Sequence, residues 1–80
     1  MERELIKTIN GIKLFKDKNK HLTCEVMDGE GDFFKVSFKY DNCATIDGNG
    51  MTYSCFESQT LIALGELVLF ADDWYKKNLE

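Results

Sequence analysis

Three cysteines and the single histidine, Cys24, Cys43, Cys55 and His21, add up to the donor set of a structural zinc site. His21-x-x-Cys24 puts two of these donors close together. Alternation places this stretch on a strand, however, where residues three apart point to opposite faces. Cys24 runs in phase with Leu22 and Val26, which makes it a small core residue, and Cys43 and Cys55 lack knuckle spacing. No metal is expected. The same geometry separates Cys24 from His21 as a nucleophile from its base. Ser37, Ser54 and Ser58 have no glycine elbow around them. Among the carboxylates, Glu66 alone stands in an apolar run that would raise its pKa, and helical phase returns it to the polar arc. The expectation is therefore no catalytic residue, no cofactor and no enzyme.

The remaining polar motifs are turns. Asp28-x-Glu30-x-Asp32 begins like a calcium loop, but Phe33 stands where such a loop needs glycine, and Lys39 where it needs glutamate. Gly29-x-Gly31 and Gly48-x-Gly50 open no helix that could hold a phosphate. In an antiparallel meander alternate turns fall at one end of the sheet. That would gather Asp28, Glu30, Asp32 and Asp47 on a single acidic rim. Such a rim is either a charged edge that resists association or a pad that docks on a basic partner.

The elements that must position these residues follow from hydrophobic period. Leu22, Cys24 and Val26 alternate with polar neighbours, as do Phe34, Val36, Phe38 and Tyr40. Residues 28–32 form the hairpin between them. A second hairpin runs from Cys43 to Ile46, through Asp47-Gly48-Asn49-Gly50, to Met51–Phe56. A helix follows, capped by Ser58 or Thr60 and ending near Lys76 and Lys77. Its apolar arc is Leu61, Leu64, Leu67, Val68, Ala71, Trp74, Tyr75 and Leu79. Residues 2–9 suit a strand turning at Asn10-Gly11, or a short helix stopped by Gly11, with strands the preferred alternative. The fold class is α+β: an antiparallel meander of four to six strands with a C-terminal amphipathic helix on one face, one domain over residues 1–80.

Two surfaces remain after this assignment. Ile62, Gly65 and Leu69 lie on the polar arc of the helix with Phe70 at its margin. They form either a face covered by the N-terminal segment or the contact face of a partner or a two-fold homodimer. The sheet's other face would carry Thr23, Glu25, Lys35, Ser37, Lys39, Thr52 and Ser54, with His21 and Phe33 near its edges. Lysines interleaved with aromatics suit single-stranded nucleic acid.

Composition favours the first kind of partner. Eighty residues with ten bases and fourteen acids carry a net charge of -4. A domain made to grip a phosphate backbone is usually basic. The charge is split: six bases against three acids in residues 1–20 leave +3, and four against eleven in the rest leave −7. Hydrophobic residues at 44% and charged ones at 30% exclude disorder, and no apolar run spans a bilayer. Three cysteines without a pairing pattern and a charged N-terminus suit the cytoplasm. The functional expectation is a non-catalytic module that binds a protein partner, such as one with a basic nucleic-acid-binding surface. It would be an inhibitor or antagonist of the counter-defence kind, encoded by a phage or mobile element. The alternative is a nucleic-acid accessory protein that uses the basic N-terminal segment and the lysine-bearing sheet face.

Overall fold

The computed structural model describes residues 3–29, 31–48 and 55–78. Five strands follow one another along the chain: β1 (Glu4–Ile9), β2 (Ile12–Lys16), β3 (Leu22–Met27), β4 (Phe33–Lys39) and β5 (Cys43–Asp47). Each pairs antiparallel with its neighbours in sequence, giving a meander in the order β1-β2-β3-β4-β5. The helix α1 (Ser58–Asn78) lies across one face. This is the expected α+β architecture.

Turn chemistry explains the connections. Asn10 and Gly11 both take positive φ, 52° and 81°, the requirement of a tight two-residue hairpin, and Ile9 pairs directly with Ile12. Residues 4–9 are therefore strand, not helix. The Asp17 carboxylate accepts the backbone N–H groups of Asn19 and His21 at 2.8 and 2.9 Å, closing the next turn. Asp28 does the same for its own turn, taking the Asp32 N–H at 2.9 Å. Tyr40 to Asn42 turn the chain into β5, with Asp41 and Asn42 at φ 65° and 59°. Of the second expected hairpin, residues 49–54 lie outside the described residues. Cys55 to Glu57 are not strand, and the Cys55 carbonyl instead accepts the Gly29 N–H at 2.7 Å.

Alternation sends Leu14, Leu22, Cys24, Val26, Phe34, Val36 and Phe38 toward the helix, which contributes Leu64, Leu67, Ala71 and Tyr75. Burying such side chains is the main stabilising term, worth roughly 1.5–3 kcal/mol for each large one. At the end of β5 the backbone closes over Phe34. A Cβ at Gly48 would overlap that ring, which also meets Phe56 edge to face at 5.4 Å.

Three details of the helix differ from expectation. The Glu57 carbonyl accepts the Leu61 N–H, so Glu57 holds the cap position and Ser58 and Thr60 lie inside the first turn. Leu61 is half exposed instead of joining the core. Asp72 is buried: its carboxylate accepts the Asp41 N–H and pairs with Lys76 at 2.9 Å, tying the helix to the β4–β5 turn.

The deepest tie between the layers is the Tyr75 hydroxyl. It accepts the Leu22 N–H at 2.9 Å and donates to the Phe38 carbonyl at 3.0 Å. The hydroxyl thus stands between β3 and β4, just beyond the Thr23↔Ser37 pair. Removing it with Tyr75→Phe strands a donor and an acceptor in the core, at a cost of about 1–3 kcal/mol. Urea unfolding should report that loss with an unchanged m-value.

Lys76, first, and the amides of Asp41 and Asn42 hold the Asp72 carboxyl below its ordinary pKa, against the opposing effect of burial. Asp17 is lowered in the same direction, chiefly by the His21 amide. Stabilisation from a lowered carboxyl is complete above the unfolded value of about 3.9 and disappears as pH falls through the folded one. The urea midpoint should therefore drop between about pH 5 and about pH 2. In Asp72→Asn the midpoint should begin lower at neutral pH and fall less on acidification.

Candidate functional site

The meander places the Asn10–Gly11 turn, the 28–32 turn and the end of β5 at the same end of the sheet. The expected geometry of the rim is thus present, but its chemistry is different. Asp28 is buried, and its carboxylate braces its own turn rather than facing a partner. Asp32 and Asp47 are exposed, and Glu30 lies outside the described residues.

What this end presents is a cleft of about 540 Å³. It exists because β2 and β3 pair through Phe15↔Thr23 and Lys16↔Leu22, at the opposite end, and not along the rest of their lengths. Where they part, Ile12 and Val26 line the gap and Met27 and Phe33 stand at its mouth. Met27 is 52% exposed and Phe33 64%, facing each other as a cross-strand pair. Glu25, Asp28 and Glu57 also line the cleft, and no basic residue does among the described ones. Glu25, Met27 and Glu57 were missing from the expected site. A signal for two of them existed, since Met27 and Glu25 share the outward phase of β3 with Thr23.

The helix face is partly as expected. Ile62 and Leu69 are each 63% exposed, and the space above Gly65 is open. Phe70 does not belong with them. It is half-buried in the seam with β1, and the Lys7 ammonium lies 5.4 Å from its ring centre. The N-terminal strand thus covers Phe70 and leaves Ile62, Gly65 and Leu69 bare.

On the helix-free face, a groove of about 340 Å³ is lined by His21, Thr23, Lys35, Ser37 and Lys39 among others. Its lysines do not form a continuous phosphate track. Lys35 lies between Glu25 and Asp47 in the cross-strand register. The basic N-terminal segment is also dispersed: Lys16 pairs with Glu4 at 3.1 Å, Arg3 lies over Phe15, and Lys7 reaches the helix side.

The potential zinc donors are scattered. Cys24 is in the core, His21 is in a turn beside Asp17, Cys43 opens β5, and Cys55 lies near the opposite end. No group of three metal-ligating side chains occurs among the described residues. Likewise, no helix among them is long and apolar enough to cross a membrane.

Burial, with a smaller contribution from Glu25, pushes the Cys24 thiol up to about 12, so it holds essentially no thiolate at neutral pH. Cys43 and Cys55 are exposed. Brief alkylation of the native protein should therefore add two labels by mass, with the third, on Cys24, appearing only in denaturant.

No family model, curated protein or solved structure matches this chain.

Proposed function

We propose that the protein is a non-catalytic binding module that docks on a basic protein surface through the split end of its sheet. One observation carries the proposal: the cleft between β2 and β3 combines an apolar lining with acids, and no base lines it among the described residues, Lys35 lying outside it across the strand pair from Glu25. That lining suits a lysine or arginine side chain. The aliphatic stem would lie along Met27 and Phe33 while the charged head meets Glu25 or Glu57. Exposed aromatic and methionine side chains at a concave mouth are also the residues that supply most binding energy at protein interfaces.

Four polar groups of the kind a catalyst uses have structural duties in this fold. Asp17 and Asp28 brace turns, Asp72 ties the helix to a turn, and Tyr75 bridges two strands. An acidic module of this size that occludes a basic surface fits an inhibitor carried by a phage or mobile element, acting against a defence factor. A nucleic-acid-binding partner would present suitable basic chemistry.

The test is a titration of isotope-labelled protein followed by backbone amide shifts. The probes are an arginine–leucine alternating peptide, its glutamate–leucine counterpart and a single-stranded oligonucleotide. The cationic peptide should move Gly11, Met27, Phe33 and Glu57, and combining Glu25→Lys with Glu57→Lys should abolish the response. No response at that end, or an equal response to the anionic peptide, overturns the proposal. Shifts centred on Thr23, Lys35 and Lys39 with the oligonucleotide, weakening steeply with salt, would instead assign the sheet face to nucleic acid.

A further inference from the structure

The outer stripe of α1 is a separate surface. Leu64, Leu67, Ala71 and Tyr75 turn one side of the helix to the core. At about 100° per residue, Ile62, Leu69 and Asp73 fall on the opposite side. The first two are large, apolar and 63% exposed, one helical heptad apart. Gly65 lies between them with nothing above it, so a second helix could approach closely there.

From this arrangement we infer that the protein forms a two-fold homodimer through antiparallel packing of α1 on α1. The stripe is self-complementary in one register. With the two-fold axis between Gly65 and Glu66, Ile62 of each copy faces Leu69 of the other. Both apolar contacts are then made at once, as an isologous interface requires.

Two further features agree with this occupant. Antiparallel packing sets the helix dipoles head to tail and brings Asp73, which pairs with Lys77 of its own helix at 3.1 Å, opposite Ser58 of the second copy, at the electropositive start of that helix. A groove of about 240 Å³ also runs beside Ile62, between Ile9 and Asn10 of the hairpin and Ala63 and Glu66 of the helix. In this register Leu69 of the second copy arrives next to that groove as a knob beside a ready hole. The register has one unfavourable feature, since the two Glu66 carboxylates meet near the axis. Together with the limited area of a single stripe, that makes the dimer concentration-dependent rather than obligate.

Sedimentation equilibrium over a concentration series tests the inference. The weight-average mass should rise from one chain to two for the native sequence. It should stay at one chain for Leu69→Asp and for Ile62→Asp, both of which alter exposed positions and should keep the native circular dichroism. Glu66→Gln should shift the midpoint to lower concentration. Ile62→Lys combined with Leu69→Glu should restore the dimer, because this register sets the two new charges against each other as opposites across the interface. A parallel pairing would set like against like. A native mass of one chain throughout, a dimer indifferent to Leu69→Asp, or a combined variant that remains monomeric overturns the inference.

Discussion

The organisation of this fold depends on one hydroxyl. Tyr75 bridges the Leu22 N–H and the Phe38 carbonyl, and so joins the helix to two strands at a point where those strands do not bond each other directly. Leu22 is also the residue that β2 meets through Lys16. Three strands and the helix are therefore fastened within one small region, with Asp72 holding the adjacent β4–β5 turn. Buried polar groups are tolerated only when satisfied, and here Tyr75 and Asp72 satisfy the backbone of other elements while Asp28 binds that of its own turn. The cost of burying them is converted into a unique docking of helix on sheet.

Clamping one end has a consequence at the other. β2 and β3 are held together near Leu22 and part toward Ile12 and Met27, so the free end of the sheet opens into the cleft. An evenly paired meander of this length would have closed the gap beside Ile12 and kept Met27 and Phe33 apart from any concavity. The proposed docking surface and the Tyr75 clamp are thus two ends of the same design, one closed by hydrogen bonds and the other available to a partner.

Much of this was legible in the residues. Period-two alternation identified β3 and β4, turn residues identified the hairpins at Asn10–Gly11 and at 28–32, and the helical arc identified Leu64, Leu67, Ala71 and Tyr75 as the packed face, whereas no strand follows β5 among the described residues. What alternation could not convey was the difference between an aspartate that faces water and one that folds back on its own turn. Asp28 and Asp32 stand in one loop, yet the first is buried and the second exposed. The cleft was hidden for a related reason. Its residues come from β2, β3, β4 and the segment before the helix, and their convergence depends on how far two strands remain paired. Phe70 was misplaced because a margin residue on a helical wheel is assigned by its neighbour, and here that neighbour is β1.

The net charge of -4 also takes on a spatial meaning. The surplus of bases in the N-terminal segment does not become a basic face. Arg3, Lys7 and Lys16 engage Phe15, Phe70 and Glu4 in turn, and the groove that Arg3, Lys16 and Lys18 share is also lined by Glu4 and Asp17, which offset their charge. The acids of the body suffer less dispersal, because Glu25 and Glu57 converge on the cleft from two distant parts of the chain, with the buried Asp28 beneath them in its turn. Long-range attraction would therefore favour a cationic partner, and the concave, apolar lining would determine where that partner comes to rest. Two layers built from eighty residues cannot cover both their inner and outer faces. Among the described residues, Met27 and Phe33 are left outside at the cleft mouth and Ile62 and Leu69 along the outer helix, the four most exposed large apolar side chains but for Leu61, while Leu5, Tyr40 and Ile46 are spread elsewhere on the sheet and its turns.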